Sequence, residues 1–169
     1  HELLPWRRSI KRKPLSASKY YFFDVGVAGA LQGRPVTPGS PEFGQGFESY
    51  LFHELISYRD YVSGEPLSYW RSTSGFEVDF ILADHTAVEV KAKHAIAPHD
   101  LKSLAALAEE KRLKRYLCVS LEPRPRRAGP GGDFASTPGL CRTRRGGLGQ
   151  GVDLRRRELT LHRSRVRRR

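Results

Sequence analysis

The sequence has 169 residues, of which 30 are Lys or Arg and 18 are Asp or Glu, giving a formal net charge of +12. This length is sufficient for one domain with a hydrophobic core. The sequence shows no signal peptide and no run of 18 apolar residues, which argues against a secreted or membrane-spanning chain and favours the cytoplasm. The two cysteines, Cys118 and Cys141, have neither metal-binding spacing nor a disulfide framework. Because the chain contains no Met, we expect it to be a fragment of a longer protein.

The positive charge is concentrated in the C-terminal part of the sequence. From Glu122 onward there are 14 Arg, no Lys and 4 acidic residues, whereas residues 1–121 hold 16 basic and 14 acidic residues. We therefore predict a nearly neutral folded domain at 19–127, preceded by a basic, Pro-containing linker at 1–18. Residues 128–169 lack periodicity and large apolar residues, and such a composition predicts disorder. This Arg/Gly-rich tail is either a nucleic-acid-binding extension or the product of a frameshift in GC-rich DNA, which encodes almost no Lys.

Apolar periodicity predicts the secondary structure in chain order. The aromatic run at 20–23 predicts a core strand, and Asp24 is expected to cap a short helix that Gly33 ends. The remaining predictions are an amphipathic helix at 44–58, strands at 67–71, 76–82 and 86–92, a helix at 98–112 and a strand at 115–121. The resulting order α-β-β-β-α-β indicates an α/β fold.

The two strands at 76–82 and 86–92 can form a hairpin whose apolar faces must match. Opposed residues in an antiparallel pair point to the same face of the sheet. The matched apolar pairs are Phe80 with Val88 and Val78 with Val90. In this register Asp79 lies opposite Glu89, and Lys91 lies on the same face as both carboxylates.

Two carboxylates and an ammonium group on one sheet face form a candidate hydrolytic site. Carboxylates about 5 Å apart repel each other, and a divalent cation relieves that repulsion. Mg²⁺ is commonly held by one or two carboxylates, with water and substrate phosphate as its other ligands. Lys91 lies roughly 6.6 Å along the strand from Glu89 and could place its ammonium group on an attacking water. The alternative is that the charges are solvated, with Lys91 forming a surface salt bridge to Glu77.

The spacing of Asp79 and Glu89-Val90-Lys91 resembles the D…(D/E)xK motif of the PD-(D/E)XK nuclease superfamily. The predicted order α-β-β-β-α-β is also that of the restriction-endonuclease-like core, a mixed sheet flanked by helices. The resemblance implies that Asp79 and Glu89 hold Mg²⁺ or Mn²⁺ and that Lys91 assists the attacking water. Glu48, in the preceding helix, is similar to the helix acid that completes the site in Holliday-junction resolvases, which implies a further catalytic or metal-binding role.

Longer blocks of the sequence resemble one prokaryotic family more closely. They are YYFFDVGVAGAL (20–31), GQGFESYLFHEL (44–55), YWRSTSGFEVDFIL (69–82) and AVEVKAK (87–93). Together they look like a domain of unknown function found at the C-terminus of AAA+ type ATPases, over roughly residues 14–127. The ATPase motif G-x-x-x-x-G-K-[ST] does not occur in this sequence. The resemblance therefore implies that an ATPase domain normally belongs to the same chain and that residues 1–18 lead from it.

The resemblance implies DNA as the substrate and leaves two functions open. Arg71, Ser72, Thr73 and Lys93 are the predicted contacts to the phosphate backbone, although the first three also suit a strand end and a polar turn. Trp70 is predicted to lie in the core. One function is a Mg²⁺-dependent endonuclease, which the acidic residues and their neighbouring lysine favour. The other is a non-catalytic module that binds DNA or a partner protein and regulates the ATPase, which the nearly neutral domain favours because phosphate binding depends on Lys and Arg.

Overall fold

The helices and strands predicted between residues 44 and 121 are present, with ends that differ by a few residues. The structure is a computed structural model that describes residues 1–34, 36–128 and 134–138. The strands are β1 (Glu2–Leu3), β2 (Lys19–Tyr20), β3 (Leu67–Arg71), β4 (Glu77–Leu82), β5 (Thr86–Lys91), β6 (Arg115–Ser120), β7 (Arg126–Ala128) and β8 (Phe134–Pro138). The α-helices are α1 (Val25–Gln32), α2 (Pro41–Tyr58) and α3 (Lys102–Ala108), with a π-helical turn after α2 (Arg59–Ser63) and a 3₁₀ turn before α3 (Pro98–Leu101).

A mixed sheet forms the centre of the α/β fold, in the strand order β3-β4-β5-β6-β8-β7. The neighbours β3, β4 and β5 are antiparallel, whereas β6 lies parallel to β5 and β8 lies parallel to β6. The step from β5 to β6 runs through α3, because a parallel pair needs a crossover connection. Strand β8 belongs to the predicted tail at 128–169, and the part of that tail after Pro138 lies outside the described residues.

Two hydrophobic clusters cover the two faces of the sheet. One packs on the side of α3 and includes Trp70, Ile81 and Leu104. The other packs on the side of α2 and includes Phe52 and Phe80. All five side chains are fully buried, which confirms Trp70 as a core residue. Because each large apolar side chain stabilises the fold by about 2 kcal/mol when buried, the two clusters hold α2 and α3 firmly against the sheet.

Strand β4 contains a β-bulge beside the predicted site. The β3–β4 pairs on its two sides are Ser68 with Ile81 and Trp70 with Val78. One residue of β3, Tyr69, is therefore opposed by two residues of β4, Asp79 and Phe80. The extra residue interrupts the alternation, so that Val78 packs on the side of α3 and Phe80 on the side of α2. The prediction that Val78 and Phe80 share a face was wrong for this reason.

Residues 1–18, interpreted from the sequence as a linker, pack against the domain. Strand β1 pairs with β2, and the side chains of Leu3 and Trp6 are buried. The backbone N–H of Trp6 donates to the carbonyl of Tyr69 at 2.6 Å, and its indole N–H donates to Asp84 Oδ1 at 2.9 Å. This segment is therefore a structural part of the domain.

The aromatic run at 20–23 does not form the predicted core strand. Strand β2 ends at Tyr20 because its partner β1 has only two residues, and the chain then turns into the cap of α1. Tyr21 is buried against the side of α2. The exposed members of the run are Tyr20, Phe22 and Phe23. A run of aromatic residues indicated burial for all four, but the short pairing partner leaves three of them at the surface.

Helix α1 begins and ends where the sequence predicts. The Asp24 carboxylate accepts a hydrogen bond from the backbone N–H of Val27 at 2.8 Å, which caps the helix. Gly33 ends the helix at φ 63°, in the left-handed region that glycine adopts without steric cost. Within the described ranges, neither this helix nor any other is long and apolar enough to cross a membrane.

Candidate active site

Strands β4 and β5 bring Asp79 and Glu89 together, although not by the predicted pairing. The hairpin has the predicted register at Phe80 and Val88, and the ladder pairs run from there toward the turn. Beyond the bulge, Asp79 Oδ2 accepts a hydrogen bond from the backbone N–H of Val90 at 2.8 Å. The predicted register placed Val78 opposite Val90. In the structure the side chain of Asp79 accepts the hydrogen bond from Val90 instead. The regular pairing of the two strands ends at this point, and the carboxylate of Asp79 bonds with β5 there.

Glu89 and Lys91 form an ion pair that leaves one carboxylate oxygen without a partner. Lys91 Nζ lies 2.6 Å from Glu89 Oε1, and Glu89 is 3 % exposed. Among the described residues, no group donates a hydrogen bond to Glu89 Oε2, which is itself buried. Burial raises the pKa of Glu89 to about 7, against the opposing effect of Lys91. Such an oxygen is costly to leave uncompensated and is suited to accept a ligand.

Lys91 remains a cation in this environment. Burial lowers its pKa, but the charge of Glu89 and the hydrogen bond to it outweigh that effect and raise the pKa above the ordinary value. The alternative partner considered from the sequence, Glu77, instead pairs with Lys19 and Arg71. Lys91 thus belongs to the pair with Glu89 and not to a surface salt bridge.

Lys19, the first residue of β2, lies between three acidic side chains. Its ammonium nitrogen is 2.6 Å from Glu77 Oε1, 2.9 Å from Glu48 Oε1 and 3.7 Å from Asp79 Oδ1. Burial opposes its charge, but the charges of Glu48 and Asp79 and the hydrogen bonds to Glu77 and Glu48 raise its pKa. Lys19 was not predicted as a site residue because it lies at the end of the basic N-terminal segment.

The carboxylate of Glu48 accepts hydrogen bonds from two side chains, one in β2 and one directly after it. The hydroxyl of Tyr21 donates to Glu48 Oε1 at 2.5 Å, and the ammonium group of Lys19 donates to the same oxygen. Burial and the charge of Glu48 raise the pKa of Tyr21, so the phenol keeps its proton. Alternate residues of an extended segment point to the same side. This period of two places Lys19 and Tyr21 together, and it is the sequence signal that could have found both.

The site carries more negative than positive charge. We refer to Glu48, Glu77, Asp79 and Glu89 as the acid cluster; within the described ranges, the ammonium groups paired with it are those of Lys19 and Lys91. Arg71 lies at the rim, 3.2 Å from Glu77, with its side chain 54 % exposed. Four carboxylates thus face two half-buried ammonium groups.

Burial is the largest cause of the altered protonation of Asp79. Desolvation raises its pKa well above the ordinary value, and the charges of Glu89 and Glu48 raise it further. Lys19 and the backbone N–H of Val90 oppose this shift without cancelling it. Asp79 and Glu89 are therefore the two carboxylates of the cluster that are short of positive charge.

Asp79 and Glu89 offer oxygen atoms of the kind that a hard divalent cation binds. Carboxylate oxygens are the ligands that Mg²⁺ and Mn²⁺ prefer. Glu89 Oε2 has no partner in the described part of the chain, and Asp79 Oδ1 has only the ammonium group of Lys19 at 3.7 Å. Within residues 1–34, 36–128 and 134–138, no group of three or more His, Cys, Asp or Glu residues could hold a metal ion. The predicted third ligand, Glu48, bonds with Lys19 and Tyr21.

The predicted DNA contacts have unequal access to solvent. Ser72 is 1 % exposed, and its hydroxyl bonds with Ser74 and with the backbone of Phe76, so it is a structural group of the turn and not a surface contact. Thr73 is exposed. Lys93 is half exposed, and its ammonium group bonds with Asp100 Oδ1 at 2.5 Å. The predicted contacts that keep an exposed side chain are thus Arg71, Thr73 and part of Lys93.

The site and the fold define a mixed α/β domain that carries an acid cluster, partly buried, where the regular pairing of two strands ends. A comparison with family models matches residues 43–130 to a domain of unknown function, DUF4143. The chain belongs to this family, which is usually found in AAA-ATPase-associated proteins. The predicted relationship to a domain of unknown function associated with AAA+ ATPases is confirmed. No curated protein and no solved structure matches the chain.

Proposed function

We propose that this domain is a metal-dependent DNA endonuclease of restriction-endonuclease-like fold that works with an AAA+ ATPase. The observation that carries the proposal is the buried Glu89 oxygen without a partner among the described residues, close to Asp79 and to the Glu89–Lys91 pair. A buried acid pair with raised pKa values beside a lysine supports function more than stability, because perturbed pKa values concentrate at functional sites.

The roles follow from the protonation of each group. Asp79 and Glu89 would hold Mg²⁺ or Mn²⁺ through Asp79 Oδ1 and Glu89 Oε2. A bound ion of this kind would lower the pKa of its water ligand and neutralise negative charge on the phosphate. Lys91 stays protonated, since its pKa is raised. It therefore donates hydrogen bonds that orient the attacking water or the scissile phosphate, and it does not remove a proton.

Glu48 acts through its neighbours in this proposal. Its Oε1 atom accepts hydrogen bonds from Lys19 and from Tyr21. These bonds fix the ammonium group of Lys19 beside Asp79 Oδ1, at 3.7 Å. Glu48 thus positions positive charge next to the oxygen that would bind the ion.

A second candidate function is a non-catalytic module that binds DNA or a partner protein and regulates the ATPase. The observation that favours it is the commitment of the cationic groups near the site to acids of the same chain. Lys19 bonds with Glu48 and Glu77, and Lys93 bonds with Asp100. Affinity for a phosphate backbone depends on Lys and Arg side chains that are available to it.

Cleavage of DNA by the full chain tests the two functions against each other. Supercoiled, linear and branched DNA would be incubated with wild type, Asp79→Asn and Lys91→Met, in Mg²⁺, Mn²⁺ or EDTA. Matched controls are Asp60→Asn, in the turn after α2, and Lys102→Met, at the exposed start of α3. We expect cutting that requires the metal, survives in both controls and falls by about 100-fold or more in the two site variants.

The same samples separate the second function from the first. If no protein cuts any DNA but wild type and Asp79→Asn bind it equally at 150 mM salt, the non-catalytic module is supported and the endonuclease is rejected. Metal-dependent cutting that persists in Asp79→Asn and Lys91→Met would place the activity outside this site.

A further inference from the structure

Basic residues from two distant parts of the sequence lie at the end of the sheet where β4 turns into β5. We refer to them as the basic patch, which consists of Arg8, Lys11, Lys111, Arg112, Lys114 and Arg115. Each of these residues is exposed. Residues 1–121 contain 16 basic and 14 acidic residues. A part of the chain that is nearly neutral as a whole therefore carries a concentration of positive charge at one end.

The turn between β4 and β5 holds two parts of the patch together. The carboxylate of Asp84, in this turn, pairs with Arg8 at 2.6 Å. The carbonyl of the next residue, His85, accepts hydrogen bonds from the backbone N–H groups of Lys114 and Arg115, at 2.9 and 3.0 Å. The same turn thus contacts the N-terminal segment and the start of β6, which brings their basic residues to one surface.

Glu110 joins the N-terminal segment to the other part of the patch. Its carboxylate accepts hydrogen bonds from the backbone N–H groups of Ile10, Lys11 and Arg12, at 2.7, 2.8 and 3.1 Å. Lys11 therefore lies beside the residue that directly precedes Lys111 in the chain. Because these contacts fix the backbone at both positions, the positive charges meet whenever the domain is folded.

The charge of the patch is available to a partner. Three acids lie beside it, and each is bound within the chain: Asp84 to Arg8, Glu109 to Arg12, and Glu110 to backbone N–H groups. Among the described residues, Arg8 is the member of the patch that has an ion pair, and the other five side chains have none. These five cations are therefore free to contact a negatively charged molecule.

We propose that the basic patch binds the phosphate backbone of a nucleic acid duplex, at a surface separate from the acid cluster. Affinity for a phosphate backbone depends on Lys and Arg side chains that are free to contact it. Near the candidate site, the ammonium groups of Lys19, Lys91 and Lys93 are paired with acids of the chain. The inference deepens the proposed function, on which the choice of DNA as the duplex rests, and it adds a binding surface that needs no metal.

A duplex suits the patch better than an anionic membrane does. Segments that bind membrane surfaces combine positive charge with a large apolar face. Within residues 8–12 and 111–115, Ile10 is the large apolar side chain that is exposed, whereas Leu113 is buried. Contacts to a phosphate backbone require cations and no apolar face.

The patch lies one strand length away from the acid cluster. Strand β5 begins at Thr86, next to the turn, and ends at Lys91. At about 3.3 Å per residue, these two positions are roughly 17 Å apart. This distance corresponds to the rise of about five base pairs. Because the two surfaces are separate, binding at the patch can be changed without changing the acid cluster.

Binding of short DNA and RNA duplexes to the full chain tests the patch, measured by fluorescence anisotropy in EDTA. The patch variant is Lys11→Gln/Lys111→Gln/Lys114→Gln. The control Arg34→Gln/Lys102→Gln/Arg124→Gln removes the same charge from exposed positions outside the patch. At 150 mM salt, we expect the dissociation constant to rise about tenfold in the patch variant and less than about twofold in the control. The slope of log affinity against log salt should become shallower by about three in the patch variant, because each lost phosphate contact removes about one unit.

Acetylation of lysines in the wild-type chain tests the same surface without a substitution. From Glu122 onward the sequence contains 14 Arg and no Lys, so this label does not report on the Arg-rich tail. We expect a duplex to slow the acetylation of Lys11, Lys111 and Lys114, measured by mass spectrometry, and to leave that of Lys102 unchanged. Equal affinities and slopes in the two triple variants, or equal acetylation of the patch lysines with and without a duplex, would overturn the proposal. Protection by phosphatidylserine vesicles but by neither duplex would assign the patch to a lipid surface and reject the proposal.

The outcomes separate the patch from the proposed function. A chain that cuts no DNA but binds a duplex less tightly in the patch variant rejects the endonuclease and supports the patch. A chain that cuts DNA and has unchanged affinity in the patch variant supports the endonuclease and rejects the patch. Binding of the RNA duplex alone would support the phosphate contact and reject DNA as the duplex.

Discussion

Two buried glutamates of this domain, Glu110 and Glu89, have opposite surroundings. Glu110 is 6 % exposed and accepts hydrogen bonds from the Ser9 hydroxyl and from the backbone N–H groups of residues 10–12, at 2.7 to 3.1 Å. Burial opposes its charge, but these bonds outweigh it and lower the pKa of Glu110. Glu89 is equally buried and pairs with Lys91, while its second oxygen has no partner among the described residues, and its pKa is raised to about 7.

The difference separates a structural acid from a candidate functional one. A carboxylate whose lone pairs are all used by donors of the same chain stabilises the fold and has nothing left to bind. A buried carboxylate with an unused oxygen destabilises the fold until a ligand supplies positive charge. Burial alone therefore does not identify the site, but the count of donors around each buried acid does.

The largest effect is expected from removing the segment that Glu110 holds. Deletion of residues 1–12 takes away Leu3 and Trp6, which are buried, together with the donors to Glu110. We expect a loss of about 5 kcal/mol or more, because burial of each large apolar side chain is worth about 2 kcal/mol and the orphaned carboxylate adds its own penalty. Urea denaturation followed by tryptophan fluorescence and circular dichroism measures the loss. Unchanged stability after the deletion would show that the segment is only a linker.

A smaller loss is expected from changing Glu110 itself. Glu110→Ala leaves the three backbone N–H groups of residues 10–12 without their acceptor, which should cost about 3 kcal/mol. The matched control is Glu109→Ala, whose side chain is 55 % exposed and pairs with Arg12 at the surface. That control should cost less than about 1 kcal/mol. Equal losses in the two variants would contradict the structural role of Glu110.

The sequence predicted what depends on local periodicity and missed what depends on distant contacts. The register of Phe80 with Val88 followed from apolar alternation, and so did the approach of Asp79 to strand β5. The face of Val78 was mispredicted, because a bulge adds one residue without leaving a mark in the pattern.

The contacts of the N-terminal segment could not be predicted in the same way. Lys19 meets Glu48 across 29 residues, and Glu110 meets Ile10 across 100. Neither pairing has a spacing rule, since it depends on how α2, α3 and β2 pack on the sheet. Only part of the candidate site could therefore be predicted from the sequence. Asp79, Glu89 and Lys91 lie in one hairpin, whereas Lys19 comes from a segment that resembled a linker.

The smallest effect, a change in the pH dependence of stability, sharpens the contrast between the glutamates. The pKa of Glu89 is about 7 in the folded state and near 4.5 in the unfolded chain. The folded state therefore binds more protons between these values, and the free energy of unfolding should fall as the pH rises from about 4.5 to about 7. For Glu110, whose pKa is lowered in the folded state, stability should instead be lost as the pH falls below about 4.5.

Glu89→Gln separates the two pH windows. The amide cannot ionise, so the decrease between pH 4.5 and 7 should shrink by roughly 2.5 kcal/mol in this variant, as the linkage between the folded and unfolded pKa values of Glu89 requires. The loss below pH 4.5 should remain, because Glu110 is unchanged. Free energies of unfolding from urea titrations at pH 4, 5, 6, 7 and 8 would measure both the decrease between pH 4.5 and 7 and the loss below pH 4.5. If the decrease between pH 4.5 and 7 is as large in Glu89→Gln as in wild type, it would be assigned to Asp79, whose pKa is also raised by burial and by the charge of Glu89. In that case the charge deficit of the site would belong to β4 and not to the Glu89–Lys91 pair.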